Sequence, residues 1–112
     1  MEDFEKKIEK DVVIEVVNLT RATWKEAMEF RKILEDDIEK KFRKLVVDIS
    51  LCEFLDSTFL GTLVLAKRSI AKIGGDLKIV EPPSVFKVLR EKTTTLQVFD
   101  SYKSLDDAIN SF

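Results

Sequence analysis

Asp56-Ser57-Thr58 sets a carboxylate beside two hydroxyls at consecutive positions. The triplet follows a run that reads as a buried strand, Leu45 to Ile49. It precedes an apolar-striped helix from Phe59 to Ile73. A hydroxyl at such a joint sits on the ligand-bearing edge of a sheet, at the positive end of the following helix. A phosphoryl group or a partner protein could reach it there. Either Ser57 or Asp56 would also serve as an N-cap, accepting a bond from an unpaired amide of the first turn. Ser57 is thus a cap or a regulatory hydroxyl, and Thr58 a first-turn structural residue or an alternative phosphoacceptor.

Other chemistry is restricted by what the chain lacks. It has no histidine, which excludes histidine triads and histidine metal sites. One cysteine, Cys52, can form neither an intrachain disulfide nor a thiolate zinc cluster, and reads as a small, partly buried loop residue. Gly61, Gly74 and Gly75 make neither a dinucleotide fingerprint nor a P-loop. The inventory argues against an enzyme and calls for no cofactor or metal. The Glu35-Asp36-Asp37 run reads as solvated helix surface, because neighbouring helical residues diverge in direction.

A length of 112 residues predicts a single domain, 1–112, with a core that needs no cross-links. The net charge of -2 argues against a nucleic-acid footprint, which requires a clustered basic face. No apolar run approaches the roughly 20 residues of a membrane span, and the acidic N-terminus lacks a secretory core. These features predict a soluble, cytoplasmic protein.

The elements that must position the triplet follow from periodicity. Phe4 to Ile8 is a short first strand. Val12 to Val17 is β-branched and nearly continuous, as in a strand buried on both faces. Thr23-Trp24-Lys25-Glu26 has capping-box form and opens a helix. Its expected core face carries Trp24, Ala27, Met28, Leu34, Ile38 and Phe42, and Lys40, Lys41, Arg43 and Lys44 would complement its negative end. Cys52 to Leu55 is a short connection. The second helix carries Leu60, Leu63, Val64, Lys67, Ile70 and Ile73 on one stripe, and Gly74-Gly75 ends it in left-handed geometry. Leu77 to Val80 is another strand. Pro83 suits the first turn of a short helix over 84–90, with a last strand near Val98-Phe99. Ser104 caps a C-terminal helix through Ile109. This alternation predicts an α/β fold: a mixed sheet of four or five strands, with an antiparallel N-terminal strand and helices largely on one side.

From Asp48 to Gly61 the sequence resembles the STAS domain, and more narrowly the stand-alone anti-sigma factor antagonists of bacteria. Their joint carries Asp, Ser, Ser or Thr, Gly, Leu, Gly; here it reads Asp56, Ser57, Thr58, Phe59, Leu60, Gly61. The resemblance extends from Val12 to the terminal helix and includes the Gly74-Gly75 turn and the Ser-Leu-Asp-Asp-Ala segment at Ser104. It implies a STAS-like fold and a phosphorylation cycle. An anti-sigma factor with serine-kinase activity would phosphorylate Ser57, with Thr58 the alternative. The unphosphorylated form would bind that kinase and free the sigma factor, and a PP2C-type phosphatase would reset the switch. Asp56, Ser57, Thr58, Phe54, Leu55, Thr20 and Arg21 would face the partner, in a monomer or weak dimer. Phe54 and Leu55 are either core residues or, if exposed, partner anchors.

Two positions depart from the family pattern. Phe59 replaces the first glycine of the motif, and would fill a core gap or widen the contact surface. Val17-Asn18-Leu19-Thr20 stands where relatives often carry Gly-Glu-Leu-Asp, with Thr20 at the aspartate position. These departures keep an alternative open: an interaction subunit, without phosphorylation, of a stressosome-like or lipid-transport complex.

Overall fold

The computed structural model describes residues 2–82 and 99–112. In chain order it runs β1 (Phe4–Glu9), β2 (Val12–Val17), β3 (Arg21–Ala22), α1 (Trp24–Glu39), β4 (Lys44–Asp48) and β5 (Phe54–Leu55). It continues with α2 (Ser57–Ala71), β6 (Asp76–Val80), β7 (Asp100–Tyr102) and α3 (Leu105–Asn110). The expected helix over 84–90 and its Pro83, and Val98, lie outside the described residues. The final strand starts at Asp100, just beyond the expected Phe99.

Five strands form one sheet in the order β1-β2-β4-β6-β7. β1 pairs antiparallel with β2, and the remaining neighbours are parallel. A parallel neighbour cannot be reached by a tight turn, so α1 and α2 serve as the crossovers from β2 to β4 and from β4 to β6. The strand runs look continuous because both faces of the sheet are covered. Val13, Val17, Leu45, Val47, Leu77 and Ile79 pack with α1 and α2. Val12, Ile14, Val46 and Val80 form a second, smaller core with Ala108 and Ile109 of α3. Among the described residues, two helices on one face and a short one on the other match the expected mixed sheet.

The larger core contains an aromatic column. Phe30 of α1 stacks on Phe4 of β1 at 4.7 Å and on Phe59 of α2 at 5.2 Å. Such pairs add stabilisation beyond their buried area. Phe59 is fully buried, so it fills the core and does not widen the surface.

The buried stripe of α1 is Ala27, Phe30, Leu34 and Asp37, which corrects the expected face in several places. Trp24 is 65% exposed and Met28 70% exposed. Trp24 is the first helical residue, and helical side chains lean toward the N-terminus, which carries the indole past the end of the packed layer. Met28 lies one step of rotation off the stripe. Asp37 is on the stripe and fully buried, so the acidic run is not all solvated surface. The helix stops at Glu39, and its last turn holds no basic residue. Lys40 is the C-cap and pairs with Asp36, while Lys41 takes the left-handed φ of 67° that ends the helix. Lys44 already belongs to β4.

The glycine turn after α2 has two separate requirements. Gly74 has a φ of +80°, which favours glycine. At Gly75 a Cβ would lie 2.4 Å from the Arg43 carbonyl oxygen, so the backbones of the two loops touch directly.

Candidate functional site

The two loops that leave β2 and β4 both emerge at the same end of the sheet, where the parallel strands finish. Thr20 and Glu53 bring them together: the Thr20 carbonyl accepts the Glu53 and Phe54 amides at 2.7 and 3.0 Å. The chain then pairs β3 with β5 in parallel, Arg21 opposite Phe54 and Ala22 opposite Leu55. Ala22 and Leu55 point into the core, while Arg21 and Phe54 point out. The Arg21 guanidinium lies over the Phe54 ring at 4.4 Å from its centroid, a cation–π contact. This two-strand staple replaces the loop expected from Cys52 to Leu55. Leu55, one of the expected partner-facing residues, is a core residue with no surface to offer.

Asp56 follows the staple as the N-cap of α2, with extended backbone. One carboxylate oxygen accepts the Phe59 amide at 2.8 Å, satisfying an orphan donor of the first turn. The other accepts the Trp24 amide at 2.8 Å, at the start of α1. One side chain thereby ties the amino-terminal ends of two helices together. The first bond was expected from the motif; the second joins positions far apart in sequence and was not.

Asp56→Ala is expected to lower folding stability by roughly 2 kcal/mol, since both bonds are charge-assisted and one is a helix cap. Urea denaturation measures this directly. An alanine variant as stable as the parent chain would contradict the clamp.

Ser57 is the first residue of α2 and is exposed, as is Thr58 beside it. No hydrogen bond among the described residues occupies the Ser57 hydroxyl. Asp56, not Ser57, is the cap, which leaves the serine hydroxyl available. The Thr58 carbonyl accepts from the Thr62 hydroxyl at 3.1 Å, a bond within α2. Thr20 and Arg21 are exposed on the same end of the molecule, and Phe54 is partly exposed. The structure therefore gathers Thr20, Arg21, Phe54, Asp56, Ser57 and Thr58 around one tip. It adds Trp24 and Lys25, which line a shallow depression with Arg21, Phe54 and Asp56.

Cys52 is buried close by, and burial, with a smaller effect from the Asp48 charge, pushes its thiol up to about 12. A thiol so hard to ionise is a poor nucleophile. Among the described residues, no group of His, Cys, Asp and Glu side chains is placed to hold a metal ion.

A STAS domain family model matches residues 2–108. No curated protein sequence matches the chain. Among solved structures, a candidate anti-sigma factor antagonist of Thermotoga maritima is 26% identical and superposes with a TM-score of 0.84, covering 96% of this chain and 92% of that one. An anti-sigma factor antagonist from Mycobacterium paratuberculosis is similar in fold, at 21% identity and a TM-score of 0.85, over 96% and 91% of the two chains. The Bacillus cell-fate determinant SpoIIAA in its phosphorylated form also shares the fold, at 12% identity and a TM-score of 0.73, over 96% and 97%. With the family model spanning nearly every residue, from the first strand into the last helix, this chain belongs to the STAS domain family.

Proposed function

We propose that the protein is an anti-sigma factor antagonist, a binding module switched by phosphorylation at Ser57, with Thr58 as the alternative acceptor. The observation that carries this reading is the uncovered Ser57 hydroxyl at the start of α2, beside a cap supplied by another residue. In the unphosphorylated form the tip binds an anti-sigma factor serine kinase, and the sigma factor is released. The kinase transfers the terminal phosphoryl of ATP to the serine oxygen, and a PP2C-type phosphatase removes it by hydrolysis.

Physical chemistry supports both halves of that cycle. A phosphate at a helix N-terminus meets unpaired amides and the positive end of the macrodipole, so the fold tolerates it. It also adds about -1.5 to -2 charge at neutral pH in the middle of the docking tip. A contact weakened by about 3 kcal/mol falls more than a hundredfold in affinity. We infer a binding protein without catalytic residues, acting in the cytoplasm as a single-domain monomer or weak dimer. Among the described residues, no helix is long and apolar enough to cross a membrane.

The test is incubation with the cognate anti-sigma kinase and ATP, with mass spectrometry of the product. Phosphate is expected on Ser57. Ser57→Asp should weaken kinase binding about a hundredfold while Ser57→Ala retains it. An unmodified tip together with undiminished binding by Ser57→Asp would remove the reading. Thr20, in place of the partner-facing aspartate of relatives, favours a second one: a non-phosphorylated subunit of a stressosome-like or lipid-transport complex. A pull-down that recovers scaffold or transporter subunits, and no sigma regulator, would select it.

A further inference from the structure

The surface beside Ser57 has an unusual distribution of charge. Four charged side chains line the depression: Arg21, Lys25, Glu26 and Asp56. Both carboxylates are committed to backbone amides. Glu26 accepts the Thr23 amide at 3.0 Å, closing the capping box of α1. Asp56 holds the Trp24 and Phe59 amides. The two cations have no ion-pair partner among the described residues. Glu53, adjacent to Phe54 in sequence, does not line the depression. The four charges sum to zero, but the two left free to pair with a partner are the cations Arg21 and Lys25.

The same surface holds large apolar groups in the open. Trp24 is 65% exposed and Phe54 41% exposed. Aromatic residues with arginine are the usual composition of interface anchors. The Arg21–Phe54 stack holds one cation in place before any partner arrives, which reduces the ordering cost of binding.

We infer that Arg21, Lys25, Trp24 and Phe54 form a specificity surface for an acidic, apolar-faced segment of the partner protein, an inference that rests on the docking role of the Ser57 tip. Complementarity selects the occupant: carboxylates pair with Arg21 and Lys25, and apolar side chains cover Trp24 and Phe54. A basic segment would face two unpaired cations, and like-charge contact excludes wrong partners. The surface also gives the Ser57 switch its sign. A phosphoserine beside these cations competes for them with the carboxylates of the partner and repels what it does not displace.

Trp24 is the only tryptophan of the chain, so its emission reports the surface directly. The probe is a short synthetic amphipathic peptide with leucine and phenylalanine on one face and aspartate and glutamate on the other. Its control carries lysine at the acidic positions. The acidic peptide is expected to shift Trp24 emission saturably to the blue, and raised salt should weaken it. The double variant Arg21→Glu/Lys25→Glu, folded as judged by circular dichroism, should bind roughly tenfold more weakly or worse. The lysine peptide should give no saturable shift with the parent chain.

Equal or tighter binding of the lysine peptide would overturn the inference, as would an acidic peptide that fails to bind or ignores the double reversal. Tighter saturation by a thymidine oligonucleotide would assign the surface to nucleic acid instead. Emission that changes with protein concentration alone would assign it to a second copy of the chain. Ser57→Asp separates the two proposals. If it binds the acidic peptide as the parent does while the double reversal loses it, the acidic-partner surface stands and the phosphorylation switch falls.

Discussion

Glu15→Gln is expected to remove a fall in folding stability that the parent chain shows as pH rises from about 4.5 to about 8. Glu15 on β2 and Asp37 on α1 are both fully buried, with Lys6 of β1 between them. Burial, and then the hydrogen bond to Asp37, push the Glu15 carboxyl up to about 8 from an ordinary 4.5; the Lys6 ammonium pulls the other way without cancelling them. Two buried carboxylates cannot both ionise cheaply beside one cation. The folded chain therefore holds a proton on Glu15 that the unfolded chain releases above 4.5. The sign follows from linkage: the contribution is complete below the unfolded value and is lost as pH climbs through the folded one. The full span is roughly 3–5 kcal/mol. Urea denaturation of both chains between these pH values measures the difference. Parallel curves would mean that Glu15 titrates normally. Glutamine keeps the shape and a donor toward Asp37, so the variant should gain relative stability at alkaline pH.

Phe59→Gly is expected to cost about 4 kcal/mol or more, from the loss of a buried aromatic ring together with a glycine in the first helical turn. The substitution restores the residue that the family motif carries at this position, yet here it would empty the end of the Phe4–Phe30–Phe59 column. Phe59→Leu keeps most of the volume and should lose less than about 1.5 kcal/mol. Thermal or denaturant midpoints distinguish the two variants. A glycine variant within about 1 kcal/mol of the parent would show that the column contributes little. The departure from the motif is thus a core adjustment, made on the inner side of the same turn whose outer side carries Ser57.

The long elements were readable because each has enough residues to display a period. Val12–Val17, Lys44–Asp48 and Asp76–Val80 are buried on both faces and appear as dense apolar runs, interrupted only by Glu15 and Lys78 between their ends. The capping box at Thr23 and the triplet at Asp56 marked two helix starts through local hydrogen-bond chemistry. What escaped has a common cause. The strands Arg21–Ala22 and Phe54–Leu55 are two residues each, too short for any periodicity. Trp24 lies in register with the core stripe, and only the overhang of α1 beyond the packed layer leaves it in solvent. Asp37 is also in register, but a charged residue reads as surface until its buried partners Glu15 and Lys6 are known. The second bond of Asp56 depends on an amide 32 positions away. The sequence leaves Phe54 and Leu55 open between core and surface, and the pleat divides them, burying Leu55 and leaving Phe54 exposed.

The double acceptance by Asp56 has an electrical consequence. Each helix end carries about half a positive elementary charge. Two such ends converge on one carboxylate and offset its charge, which leaves Arg21 and Lys25 to set the sign of the resting apex. An anion attached at Ser57 would then act chiefly against those two cations, so a single modification would offset the charge that an approaching molecule senses at the apex.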